Sequence, residues 1–243
     1  MTGGIHNGES LGGALPTPQL WLVPWDPPEH AGVCSDTWSE HAALASALSA
    51  SEQHWADRLP APQRWRYAMS RAAMRHLLSG VLDVAALQVP LHSPPGKPPQ
   101  LAPQQGFVSL SHARGAALIA WSPAAIGVDV EAADRSFDAR ALLQRFFPLQ
   151  EQRQLQALPA EPLRQAVLRS WIAKEAAIKW RQRSLAQELT AWSFEHASGL
   201  LHHCSEALTL KPCEGLCQRW RWAAAGESLE SLQVAPLIWR FES

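Results

Sequence analysis

Cysteine is scarce in this chain of 243 residues: Cys34, Cys204, Cys213 and Cys217 are the whole set. Four unevenly spaced thiols are too few to staple a chain of this size, so a disulfide framework is excluded and a reducing, cytoplasmic setting is expected. A surplus of positive charge is also lacking. Lys plus Arg number 21 and Asp plus Glu number 22, giving a formal charge of -1. General nucleic-acid binders carry a basic excess, so any polyanion site here must be a local cluster. No apolar run approaches the roughly 18 residues of a membrane span. The opening MTGGIHNGESLGG has neither a basic n-region nor an apolar h-region, and a signal peptide is not expected. What is present is apolar: 47% of residues are hydrophobic, enough for a substantial core in one large domain or two of about 120 residues each.

Residues 1–18, rich in Gly, Ser, Thr and Pro, read as a loose tail. QLWLVPW (19–25) reads as a first strand. Residues 36–58 read as a helix, with Trp38, Ala42, Leu44, Leu48 and Trp55 near helical spacing, and 62–82 as a stronger helix opened by Pro62. The Pro-rich stretch 90–103 excludes a central strand or a helix. FVSLSH (107–112), AALIAWS (116–122) and AIGVDVE (125–131) are short strands split by turn residues. Helices are expected over 138–146, 149–158 and 161–180. TAWSFEHA, QRWRWAAAG and SLQVAPLIWRF then read as a closing antiparallel set. That order indicates an α+β fold. LWLVPWD and IGVDVE, each a strand ahead of a long helix, form a faint internal echo of the kind a duplication leaves.

IGVDVE places Asp129 and Glu131 on one strand face and Val128 and Val130 on the other. A solvated edge strand would look the same. The sharper reading is a hard-cation site, because buried carboxylates need a partner and their oxygens suit Mg²⁺. In SWIAKEAAIKW, Lys174, Glu175 and Lys179 interrupt the apolar faces of a helix. A Glu175–Lys179 pair at i,i+4 explains two of them and leaves Lys174 without a reason. Lys97 sits in the stiff PGKPP loop. Ser111 and His112 end a strand, with no G-x-S-x-G elbow to make them a hydrolase pair. Arg64, Arg71 and Arg75 are spaced i, i+7, i+11 on one helix, as a solvated face also is.

Taken in order, GKP, F-x-S-x-S-H, G-V-D-V-E, RFFPLQE and W-x-x-K-E-A-x-x-K resemble the Sfp-type 4′-phosphopantetheinyl transferases; these motifs span residues 96–180. The resemblance implies a pseudo-dimer of two similar α/β halves, here 19–115 and 116–243, with the active site between them and the metal site on the second. It implies transfer of phosphopantetheine from coenzyme A to a serine of an acyl or peptidyl carrier protein, with loss of adenosine 3′,5′-bisphosphate. This is phosphoryl transfer, driven mostly by positioning and charge neutralisation. It further implies Mg²⁺ on Asp129, Glu131 and Glu175. Arg64, Arg71, Arg75, Lys97, Ser111, His112, Lys174 and Lys179 would lie against coenzyme A, with Lys179 steadying the leaving bisphosphate. Glu151 and Glu175 are candidates to take the serine proton, Glu151 placed first. The carrier would dock near 138–158, with Leu149 as an anchor and Phe146 and Phe147 assigned to the core. Carriers of fatty-acid, polyketide or nonribosomal-peptide synthesis are all admissible, and a chain with two fused halves is expected to be a monomer.

One motif departs from the family. Lys179-Trp180-Arg181-Gln182-Arg183 lacks the Gly-x-Gly common after the helix, so a different turn is expected. Arg181 and Arg183 are then further candidates for phosphate or carrier contacts. Three rival readings are a non-catalytic relative that binds coenzyme A or a carrier protein, a zinc site among His202, His203, Cys204, Cys213 and Cys217, and a stacking platform of Trp220 and Trp222 for nucleic acid.

Overall fold

The computed structural model describes residues 17–25, 46–227, 229 and 235–240. The tail expected up to residue 16, and Cys34, Trp38, Ala42 and Leu44, therefore lie outside the described residues. β1 (Gln19–Pro24) explains its own apolar run: Leu20 and Leu22 face one core, Trp21 and Val23 another. A strand buried on both sides needs no polar alternation. Instead of running unbroken from 36 to 58, the helix in this region starts afresh at Ala50. Ser49 caps that start with a reciprocal capping box to Glu52, giving α1 (Ala50–Asp57). α2 (Ala61–Leu82) has proline in its first turn and ends where Asp83 turns left-handed. The Pro-rich stretch is a small ribbon of β2 (Leu91–His92) and β3 (Gln100–Leu101).

β4 (Phe107–Ala113), β5 (Ala116–Ser122) and β6 (Ile126–Ala132) follow, then α3 (Ala139–Phe146), α4 (Leu149–Leu155), α5 (Ala160–Trp180) and α6 (Leu185–Glu188). The remaining strands are β7 (Trp192–Glu195), β8 (Leu200–His203), β9 (Thr209–Leu210), β10 (Cys213–Cys217), β11 (Trp220–Gly226) and β12 (Leu237–Ile238). They do not form one antiparallel closing set. β7, β8 and β9 make a sheet of their own, β11 pairs with β6 and with β10, and β12 runs parallel to β1. The first main sheet has the order β12-β1-β5-β4 and the second β10-β11-β6. The boundary drawn between residues 115 and 116 falls in the turn of the β4–β5 hairpin, within the first sheet.

The two main sheets face each other across a core of Leu20, Leu22 and Leu118 against Val128, Val130, Trp220 and Trp222. Each sheet carries a long helix on its outer face. α2 lays Met74, Leu77 and Leu78 on Trp21, Ile119 and Trp121. α5 lays Ile172, Ala173 and Ala176 on Ala223 and Ala225, together with Trp192 and Phe194. Each fully buried large side chain contributes roughly 1.5–3 kcal/mol. The fold is mixed α+β, and β6 with α5 carries the candidate residues Asp129, Glu131, Glu175 and Lys179.

Two local features set that pair. A Cβ on Gly127 would lie 2.1 Å from the Ala176 carbonyl oxygen and 2.2 Å from the Trp180 amide nitrogen. Only glycine lets α5 approach β6 this closely. β4 is joined to β6 through side chains: the Val128 N–H donates to Ser109 Oγ at 3.1 Å, and Ser111 Oγ donates to Asp129 at 2.5 Å.

Candidate active site

Asp129 and Glu131 share the face of β6 that Gly127 opens to α5, and α5 brings Glu175 and Lys179 opposite them. Asp129 is 3% exposed. One of its oxygens accepts from Ser111 Oγ at 2.5 Å and from the Lys179 ammonium at 2.6 Å, while Lys179 also reaches Ser111 Oγ at 3.0 Å. Glu175 lies 3.6 Å from the same ammonium. Glu131 is held by Arg135, four residues on. Burial, then the Asp129 charge, pushes Glu175 up to about 7. Burial also raises Glu131, against the pull of Arg135. Burial lowers Lys179, but Asp129 and Glu175 more than reverse this and raise it. Three carboxylates thus share fewer cations than their charge calls for.

His112 lies beside this cluster on β4. Its Nε2 is buried with no hydrogen-bond partner. Burial, and then the charges of Arg71, Arg66 and Lys179, lower it to about 3. An imidazole kept neutral under three converging cations sits where an anion would be welcome. Arg66 was not picked out from the sequence, since it is off the Arg64–Arg71–Arg75 face. Arg71 of that set does reach the cradle: it is 4% exposed, lies over the Tyr67 ring and donates to the Ser93 carbonyl at 3.3 Å.

Other predicted residues are placed elsewhere. Arg75 is turned inward, paired with Glu52 at 2.6 Å, and donates to the Ala86 and Val89 carbonyls at 3.1 Å each. It pins the turn after α2. Arg64 donates to the Asp57 carbonyl at 3.1 Å. Lys97 is exposed on the β2–β3 ribbon. Lys174 and Glu151 are both 0% exposed and meet each other at 2.5 Å. Ser170 and the Phe194 N–H also donate to Glu151, and Lys174 stands 3.7 Å over the Phe147 ring. Burial lowers Lys174 despite Glu151. No substrate hydroxyl reaches Glu151 without opening the core. Phe147 is core at 3% exposure, whereas Leu149 is 70% exposed.

The other readings resolve in the same way. Trp220 and Trp222 are 4% and 5% exposed, inside the core between the sheets, so they offer no stacking platform. His203 packs edge-on against Trp192, and His202 meets Thr209. Among the described residues, no group of three or more His, Cys, Asp or Glu comes together at metal-holding spacing. Lys179 and Arg135 occupy Asp129 and Glu131 in this arrangement. The turn after α5 keeps the left-handed step expected of glycine and makes it with Gln182, at φ 54°. Arg183 N–H donates to the Ile178 carbonyl and Gln182 N–H to Lys179, a Schellman closure. Arg181 is taken up by Glu188 and Glu206.

Residues 125–222 match the family model of the 4′-phosphopantetheinyl transferase superfamily. This stretch starts at β6 and includes Asp129, Glu131, Glu175 and Lys179. That stretch of the chain resembles the superfamily's domain. A Synechocystis sp. protein whose name gives it provisionally as a 4′-phosphopantetheinyl transferase is 32% identical over 170 residues, 68% of this chain and 65% of its own. The 4′-phosphopantetheinyl transferase AcpT of Escherichia coli K12 is 28% identical over 154 residues, 63% of this chain and 76% of its own. The AcpT of E. coli O157:H7 matches over the same length. The chain thus spans about two thirds of the Synechocystis protein's length. The carboxylates and Lys179 fall inside the matched stretch, while Arg66, Arg71, Ser111 and His112 precede it. No helix among the described residues is long and apolar enough to cross a membrane.

Proposed function

We propose that this protein moves the 4′-phosphopantetheine arm of coenzyme A onto a serine of an acyl or peptidyl carrier protein, converting apo to holo carrier and releasing adenosine 3′,5′-bisphosphate. The observation that carries this reading is the meeting of two opposite fields. His112, whose Nε2 has no hydrogen-bond partner, lies under Arg66, Arg71 and Lys179 and adjoins the carboxylates of Asp129, Glu131 and Glu175. A pyrophosphate bound with a divalent cation calls for both. The two long helices, one outside each main sheet, support a chain built from two similar halves; the same reading makes it a monomer of the cytoplasm.

The donor set fits Mg²⁺. All its atoms are carboxylate oxygens, and burial, with their mutual repulsion added, raises Glu175 and Glu131. Asp129, Glu131 and Glu175 would hold the ion once Lys179 and Arg135 give way. When bound, Mg²⁺ withdraws charge from the phosphate oxygens. Arg66, Arg71 and His112 bind and orient the nucleotide phosphates, with Lys97 at the rim. The serine oxygen bonds the phosphorus that bears pantetheine, the bridging P–O bond breaks, and its electron pair leaves with the bisphosphate beside Lys179. Glu175, whose side chain is 15% exposed, accepts the serine proton directly or through one water, a task the sealed Glu151 is not placed for.

Intact-mass spectrometry of apo carrier proteins incubated with the protein, coenzyme A and Mg²⁺ tests this. One phosphopantetheine mass is gained in the expected outcome. The rate falls at least about 100-fold in Asp129→Ala, in line with loss of a charge-positioning group, and EDTA abolishes it. No gain with fatty-acid, polyketide and peptide carriers, despite measurable coenzyme A binding, overturns the transferase reading in favour of a non-catalytic binder.

A further inference from the structure

Arg135 was not singled out in the sequence, yet it touches both the cluster and its surroundings. Its guanidinium pairs with Glu131. The same group lies 5.9 Å over the Phe137 ring and helps line a small pocket with Phe137, Leu142, Leu168 and Trp171. The backbone beneath it is fixed. Arg164 on α5 donates to the Ala133 carbonyl at 3.0 Å and to the Arg135 carbonyl at 2.9 Å, so the turn after β6 is clamped and only the side chain is free to swing. The two cations on the carboxylates also differ in kind. Lys179 is 26% exposed and shared among Asp129, Ser111 and Glu175, whereas Arg135 is 45% exposed and holds Glu131 alone. A half-exposed ion pair contributes little to stability, so it exchanges at small cost.

We propose that Arg135 is a resident counter-cation: it neutralises Glu131 in the metal-free protein and competes with the divalent cation for that carboxylate, so that it sets how tightly the cation is held. This rests on the reading of Asp129, Glu131 and Glu175 as a divalent-cation site. After exchange the guanidinium remains at the pocket mouth beside Phe137, still bound to the clamped turn.

Mn²⁺ binding to the full chain, measured by electron paramagnetic resonance with and without coenzyme A, tests the proposal on the wild type, Arg135→Ala, Arg135→Lys and Asp129→Ala. Arg135→Ala is expected to bind Mn²⁺ about two- to fivefold more tightly, the range an exposed pair represents. Arg135→Lys stays near the wild type, since it keeps the charge. The rise in melting temperature on adding Mn²⁺ is larger in Arg135→Ala than in the wild type. Unchanged or weaker Mn²⁺ binding in Arg135→Ala, while Asp129→Ala abolishes it, overturns the counter-cation role and leaves the cation site standing. Absence of Mn²⁺ binding in the wild type, with and without coenzyme A, overturns the cation site itself and the proposal with it.

Discussion

α5 carries two lysine–carboxylate pairs five residues apart, and they have opposite characters. Lys174 meets Glu151 at 2.5 Å with neither side chain exposed. Lys179 meets Asp129 at 2.6 Å, but Lys179 keeps 26% of its surface in solvent and has Glu175 beside it. The first pair is closed: Ser170 and the Phe194 N–H complete the Glu151 shell, and Phe147 covers the ammonium. The second is open on one side and short of positive charge. The same two functional groups act as a rivet where the core seals them and stay open to a ligand where one edge is wet. Residue type does not distinguish the two; the surrounding packing does.

Removing one partner from each pair breaks the comparison most sharply. Lys174→Ala strands a buried carboxylate and is expected to cost about 3–5 kcal/mol in urea unfolding. Asp129→Ala leaves Lys179 able to reach water, so its cost is expected near about 1–2 kcal/mol while transfer is lost. Equal stability losses in the two variants would erase the distinction.

Acid sharpens it. His196 touches Ser170 of the sealed pair at 3.1 Å. Burial, then Arg169 and Lys174, lower it to about 4. The unfolded chain takes up this proton near pH 6.5 and the native protein only near 4. The contribution is therefore fully present above pH 6.5 and is lost as pH falls toward 4. With solvent screening of the partly exposed ring it amounts to about 1–2 kcal/mol. Urea midpoints at pH 7.5 and pH 4.5 should draw together in His196→Gln; an unchanged pH slope would contradict this. The smallest effect is expected at the far end of α5. Gln182→Gly relieves a left-handed glutamine and should raise stability by up to about 1 kcal/mol. A loss in thermal unfolding would mean the glutamine side chain contributes contacts of its own.

Much of this was legible beforehand. The strands 107–112 and 116–122 and the helices 62–82 and 161–180 were read nearly to their observed ends, because each carries a strong period or a proline boundary. Motif order also groups Asp129, Glu131, Glu175 and Lys179, which the fold brings together. Pairing partners were not legible. Arg75 looks like any solvated arginine until Glu52, 23 residues earlier, is seen against it. Lys174 and Glu151 were assigned to substrate because a linear motif does not show which helix face is sealed. The glycine in IGVDVE did give a signal, since a glycine inside a strand marks a close backbone approach. Arg135 gave none: its meaning comes from a carboxylate four residues back and from the clamp by Arg164.

The parallel pairing of β12 with β1 has a consequence for synthesis. β1 lies between β5 and β12 in the first sheet, and the Leu22 carbonyl finds its partner in the Trp239 N–H at 2.9 Å. A ribosome makes β1 early and β12 late, so the outer edge of an apolar strand waits unpaired for on the order of ten seconds or more. Open strand edges of this kind recruit other chains. The nascent protein is therefore vulnerable to aggregation until β12 emerges, and a chaperone that shields β1 would act in that interval.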